Sequence, residues 1–375
     1  MMGASGSSEQ GRDEQQNSAQ CGPADPNFRF LMGKVKNLGP AAQRIFDLGK
    51  LYLTPDDAEK VQKDKTDFEH LFPAADESHL SAEKEKEAFQ LFRPLKKSTA
   101  IHQGQTYVQW KVGYEYQSAY LLCLHKRNII YIQPIDDFPD FVRDFRFQRG
   151  MIRVGLFELI QGFAQIYFSG LDVMVLPGIQ LENQGWEIAS RYHQVTGKKQ
   201  YLVNDFFPRL QQILPSNGVC ILGFVWTDLF PENYNFVLGE ASPKHKSGIF
   251  SFGRFPPSQF DADHTQDLTE ITGDVVWKLL KVVSHEACHL FGLNHCEYFH
   301  CAMNESGSVG EAMSQPLFLC PVCLRKLHQV CGFQVLERYQ EMLSFLKDIQ
   351  DQLPCESTAS AIKWLEECLT FLQSK

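Results

Sequence analysis

The chain has 375 residues, enough for one large core or for a domain with extensions. Apolar residues make up 43% and charged residues 22%, which is ordinary for a globular protein, and a net charge of -9 argues against nucleic acid as the main partner, because phosphate binding needs a basic surface. Apolar runs such as Val219 to Trp226 are too short to span a bilayer, and the first residues have neither a basic start nor an apolar stretch, so no membrane partner and no secretion signal are expected.

In chain order, residues 1–27 are rich in Gly, Ser, Gln and acidic residues and are expected to be a disordered tail. Residues 28–125 read as a helical extension without chemistry of its own; Ser81 would cap one amphipathic helix and Asp56-Asp57 would open another. A catalytic domain is expected over 126–345. Within it, Asn128 to Ile135 is a β-branched and aromatic run typical of a buried strand. Apolar residues at Val154, Leu156, Phe157, Leu159, Ile160 and Phe163 predict a helix over 153–169 that Gly170 ends. A second strand follows over Leu171 to Pro177, a helix capped by Asn204 or Asp205 runs to Leu214, and a third strand covers Gly218 to Trp226. This β-α-β-α-β order predicts a parallel α/β core. Two further strands are expected at Phe236–Ala241 and Ile249–Phe252, then a helix from near Asp274 through His289. Helices over Phe333–Gln350 and Ser360–Leu372 close the chain, the second within a C-terminal unit at 346–375; both are expected to pack on the N-terminal extension.

The last strand-proximal helix carries the string His285-Glu-Ala-Cys-His289-Leu-Phe-Gly292-Leu-Asn-His295, the pattern HExxHxxGxxH. Helix positions four apart share a face, so His285 and His289 can bind one Zn²⁺ through imidazole nitrogens. Glu286 can reach a water in the open position of such a metal as general base. Gly292 permits the left-handed turn that ends a helix and returns His295 as third ligand. Cys296, Cys301, Cys320 and Cys323 follow as two closely spaced pairs, which suits a closed tetrahedral Cys₄ zinc site. A redox dithiol at Cys320/Cys323 and unpaired core cysteines are the competing readings. Eleven cysteines, an odd number, with no secretion signal imply a reducing compartment, the cytoplasm or also the nucleus.

HEACHLFGLNHC, Cys301-Ala-Met303, and Leu319-Cys320-Pro-Val-Cys323-Leu-Arg-Lys-Leu running on through Gly332-Phe333 to Glu337-Arg338-Tyr339 closely resemble the archaemetzincins, zinc metallopeptidases of archaea and eukaryotes. Weaker likeness extends the match to roughly 128–345. The resemblance implies a metzincin-like α/β domain: a mixed sheet with an active-site helix, a Cys₄ subsite and helical N- and C-terminal extensions. It implies two zinc ions, a catalytic one on His285, His289 and His295 and a structural one on Cys296, Cys301, Cys320 and Cys323. Glu286 would be the acid/base and Met303 the methionine beneath the catalytic metal. It also implies an antiparallel edge strand along the cleft, for which Phe236, Val237, Leu238 and Gly239 are the candidates; an unpaired edge lets an extended peptide add as a strand.

The expected partner is thus a peptide, with an aminopeptidase-like preference, and the expected state a monomer. The competing function is a zinc-stabilised binding module without turnover, against which the sequence offers Glu286. Tyr298 and Arg254 are available side-chain types for oxyanion stabilisation, and neither is assigned.

Overall fold

The computed structural model describes residues 41, 44, 45, 91–93, 95, 105, 107–119, 128–255, 267–306 and 309–374. The expected tail and the helices at Asp56-Asp57 and after Ser81 lie outside these residues, apart from the last positions of the Ser81 segment.

The described chain begins with helix α1 (Tyr107–Ala119) and enters strand β1 (Ile129–Ile135). β1 is buried on both faces along most of its length, as its largely apolar sequence requires of a strand covered by helices on both sides. A short helix α2 (Asp140–Arg143) and a hairpin of β2 (Phe147–Arg149) and β3 (Ile152–Val154) precede helix α3 (Leu156–Tyr167). Val154, expected in that helix, therefore belongs to a strand, because Gly155 breaks the segment at the N-cap. Gly170, at φ 101°, turns the chain into β4 (Asp172–Val175); a Cβ there would fall 1.9 Å from the carbonyl oxygen of Cys331.

Next come helix α4 (Leu181–Gln184), β5 (Ser190–Tyr192), β6 (Lys199–Leu202), helix α5 (Val203–Ile213), β7 (Gly218–Val225), β8 (Asp228–Phe230), β9 (Gly239–Ser242) and β10 (Ser247–Ser251). α5 starts at Val203 without a side-chain cap. Asp205, one of the two expected caps, instead accepts the Ala189 N–H at 2.8 Å.

The main sheet has the order β4-β1-β7-β10-β9. Its first four strands are parallel, as the alternation of strands and helices predicts, and β9 adds antiparallel to β10 at the edge. β5, β6 and β8 make a small second sheet. One face of the main sheet, including Tyr131, Ile135, Ile221 and Ile249, packs on Phe206, Phe207 and Leu210 of α5. The other contributes Ile130, Ile132, Leu222 and Phe250 to a larger core shared with α3 and helix α6 (Gly273–Leu290).

Thr272 caps α6, its Oγ1 accepting the Val275 N–H at 3.3 Å. The chain closes with α7 (Val309–Ser314), α8 (Pro321–Cys331), α9 (Val335–Gln352) and α10 (Glu356–Gln373). α10 packs on N-terminal residues as expected: Trp364 Nε1 donates to Leu91 O at 2.9 Å, its ring meets Phe92 edge-on, and Arg44 donates to Leu372 O at 3.0 Å. Among the described residues no helix is long and apolar enough to cross a membrane.

Candidate metal centres and active site

α6 presents His285 and His289 one turn apart on its cleft face, and the helix stops at Leu290. Gly292 then takes φ 78°, the left-handed turn that glycine adopts without penalty, and the chain doubles back to His295. One ring nitrogen from each histidine lies within 4.8 Å of the others. The tautomers follow from the partners. His285 Nδ1 faces Ala302 O and His289 Nδ1 faces Leu293 O, both at 2.6 Å; a carbonyl only accepts, so both Nδ1 atoms donate.

The two Nε2 lone pairs are left 3.2 Å apart and facing each other. Two acceptors so placed repel unless a cation lies between them. An Nε2–Nε2 separation of about 3.4 Å is what tetrahedral zinc with ~2.05 Å bonds imposes. Burial lowers the basicity of both rings, to about 4 for His285 and about 3 for His289, with the neighbouring imidazoles adding to the effect. The rings are thus neutral, as ligands must be. The donor set fits zinc.

Glu286 is half-buried on the adjacent face and lines the cleft, and its carboxylate accepts the Ala241 N–H of β9. Burial, then the nearby Glu240, raises its pKa to about 8. Neither Glu240 nor the Ala241 amide carried a signal in the sequence, since proximity across the sheet edge brings both to the site.

The four cysteine sulfurs also lie within 4.8 Å of one another, all buried, with Cys296 Sγ and Cys320 Sγ 3.6 Å apart. A disulfide needs sulfurs at about 2.05 Å, whereas a tetrahedron with ~2.3 Å Zn–S bonds has edges of about 3.8 Å. Main-chain amides already point at two of the sulfurs: Cys320 N donates to Cys301 Sγ at 3.2 Å and Cys323 N to Cys320 Sγ at 3.5 Å. Hydrogen bonds from the other three thiols hold Cys296 far below the usual thiol range, while burial raises Cys301 and Cys320. Four buried sulfurs at this spacing fit a soft cation such as zinc.

The two clusters share a turn. Ala302 O receives His285, Met303 O receives the Cys296 N–H at 2.7 Å, and Cys301 is itself in the thiol cluster. Asn304 ties the turn together: its Oδ1 accepts Cys301 N–H at 2.8 Å and its Nδ2 donates to Cys296 O and Phe299 O. Met303 is fully buried beside these contacts. An Asn after a Cys-x-Met run is a turn signal, which the motif reading passed over.

Above the histidines lies a cleft of about 510 Å³. Phe236, Val237, Leu238 and Gly239 all line it, so the structure brings the expected substrate-facing residues to the site. They do not form the expected strand, however, because only Gly239 lies in β9, which runs on to Ser242. The reason is local pairing of its first two residues: Val237 N–H goes to Leu229 O at 3.0 Å and the Phe236 ring carries the Arg254 guanidinium at 4.2 Å, while Leu238 O stays with the sheet by accepting the Ser251 N–H of β10 at 2.9 Å.

Arg254 and Tyr298 are not among the cleft-lining residues. Arg254 is paired in the interior with Asp228, Nη2 to Oδ2 at 2.6 Å, both side chains 2% exposed. Asp228→Ala should therefore cost about 3–5 kcal/mol, since it strands a buried guanidinium. Urea unfolding measures this, and an unchanged midpoint would show that the pair contributes nothing.

Residues 192–329 match Peptidase family M54. Archaemetzincin-2 of Pongo abelii is 29% identical over 251 residues, covering 57% of this chain and 69% of the relative, and archaemetzincin-1 of Homo sapiens is 28% identical over 260 residues, covering 64% and 50%. The chain is similar to the archaemetzincins over more than half of its length. The match to a peptidase family, with these relatives, makes the protein a zinc metallopeptidase, a hydrolase. Among solved structures, the Methanopyrus kandleri archaemetzincin covers 56% of this chain and 97% of its own at 19% identity and a TM-score of 0.39, and the Archaeoglobus fulgidus protein, crystallised with malonate, covers 53% and 99% at 22% and 0.36. The chain spans about half the length of archaemetzincin-1 and about two thirds of archaemetzincin-2.

Proposed function

We propose that this protein is an archaemetzincin that hydrolyses short peptides with Glu286 as acid/base, holding one zinc on His285, His289 and His295 and a second, structural zinc on Cys296, Cys301, Cys320 and Cys323. The observation that carries the reading is the pair of outward-donating Nδ1 atoms, which turns two Nε2 lone pairs onto one point beneath the cleft. Zinc bound there supplies Lewis acidity to the scissile carbonyl and makes water a stronger acid.

The protein's own groups do the rest. The carboxylate of Glu286 accepts a proton from the attacking water, and the resulting carboxylic acid delivers it to the leaving amine nitrogen. Burial suits both halves, because a raised carboxyl pKa brings it close to the pH at which it must take and give up the proton. The Ala241 amide fixes its orientation. β9 is the edge of the main sheet, so an extended peptide would align with Gly239–Ser242, with Phe236 and Val237 shaping one wall of the cleft. We further place the protein in the cytoplasm or nucleus, as a monomer with an aminopeptidase-like preference.

The test is His295→Ala, assayed for zinc and for release from a set of amino-acid and short-peptide reporters. Wild type should hold two zinc ions and cleave; the variant should hold one and not cleave. Wild type with no zinc at the histidines, or a variant that still cleaves, overturns the reading.

A further inference from the structure

The turn that returns His295 is held from outside the segment matched by the peptidase family. The last carbonyls of any helix lack intrahelical donors, and here α1 and Gln105, two residues before it, supply them. Trp110 Nε1 donates to Phe291 O at 2.9 Å from a ring that is 1% exposed. The Gln105 amide takes the turn from both sides: Nε2 donates to Gly292 O at 3.0 Å, and Oε1 accepts the Asn294 N–H at 3.1 Å. Between those two residues sits Leu293, whose carbonyl fixes the His289 tautomer. Every polar main-chain group from Phe291 O to Asn294 N that faces this side is thereby committed. Gln105 is held in turn, since Lys326 Nζ of α8 donates to its Oε1 at 3.0 Å and to its main-chain carbonyl at 2.6 Å. α1 is fastened to the same helix by Tyr107, whose hydroxyl donates to Gln329 at 3.1 Å and whose ring carries the Arg325 guanidinium.

We infer that Gln105 and Trp110 are positioning residues of the histidine centre: together they clamp the 291–294 turn so that His289 and His295 keep ligand geometry, and the functional unit therefore begins before residue 107. The inference rests on the reading of His285, His289 and His295 as a zinc site. It makes Gln105 a mechanical link between α8, which Cys320 caps, and the third histidine. Partners that orient metal ligands typically change metal affinity by about 10–100-fold when removed.

Gln105→Leu in the full chain removes both amide contacts at nearly constant volume, and Trp110→Phe deletes the indole N–H while keeping an aromatic ring. Two readouts apply: competitive zinc titration against a chelator, and hydrogen exchange at the Asn294 amide. Gln105→Leu should weaken zinc at the histidines by about 10–100-fold with the cysteine zinc retained, and should expose the Asn294 amide. Trp110→Phe should weaken the same zinc in the same direction, which decides the matter if Gln105→Leu fails to fold. Wild-type zinc affinity and wild-type Asn294 protection in folded variants overturn the inference alone. Should the wild type take no zinc at the histidines, the reading of the site falls with it, while the Asn294 amide still reports whether the clamp exists.

Discussion

Glu286→Gln should leave two zinc ions bound and lower peptide turnover by about 10²–10⁴-fold, which corresponds to about 3–5 kcal/mol of transition-state stabilisation. Gln is nearly isosteric with Glu and its amide oxygen can still accept the Ala241 N–H, so the cleft keeps its shape. What it cannot do is take up and return a proton. Stability should move the other way. The native carboxyl is buried beside Glu240, and both the burial and the second acid disfavour its charged form. A neutral amide removes that penalty, so the melting temperature of the variant should equal or exceed that of wild type. Catalytic groups are often held at a cost to the fold. Turnover at the wild-type level would remove Glu286 from the mechanism, and a lower melting temperature with lost zinc would mean that the side chain is structural.

Cys320→Ser should have the largest effect on the fold. Zinc in a closed cysteine site contributes on the order of 10 kcal/mol of folding free energy, comparable with the whole stability of a domain. The expected result is loss of at least one zinc and of a cooperative thermal transition. Peptide hydrolysis should fall too, although Cys320 does not line the cleft. Its route is the Cys301–Asn304 turn, where Ala302 supplies the carbonyl that sets the His285 tautomer and Met303 the one that receives Cys296. Metal analysis with circular dichroism reads both effects. Full stability with lost activity would instead make Cys320 and Cys323 a redox pair.

Much of this centre was legible beforehand because spacing alone encodes it. His285 and His289 share a helical face whatever the rest of the chain does, and Gly292 is needed for a left-handed turn. The parallel core was likewise legible in the both-sides-apolar runs of β1 and β7. Groups recruited across space were not. The carbonyls of Ala302 and Leu293 have no side-chain signature, and Glu240 approaches Glu286 only through the packing of α6 on the sheet edge. Three-residue strands such as β2, β3, β5 and β8 are too short for alternation to show. No element was expected at Pro321 and the cysteines beside it, yet they open α8, with Cys320 accepting the Cys323 N–H as cap. The segment Phe236–Ala241 looked like one strand because its apolar residues are contiguous; Val237 pairs instead with Leu229 of β8, and Phe236 packs on Arg254.

The strand order has a consequence for biosynthesis. β1 is made early, yet its partner on one side is β7, so Ile130 and Ile132 wait for Cys220 and Leu222 before that edge is paired. At ~5–20 residues per second, translation leaves the edge open for on the order of ten seconds. In that interval an Ile-Ile-Tyr-Ile segment, apolar on both faces, is exposed beside the ribosome, the kind of strand that pairs with other chains. Neither metal can help, because every ligand in both clusters follows β7 in the chain. The nascent chain must therefore be protected by something other than its own zinc, and its yield in the cell should depend more on chaperone supply than on metal supply.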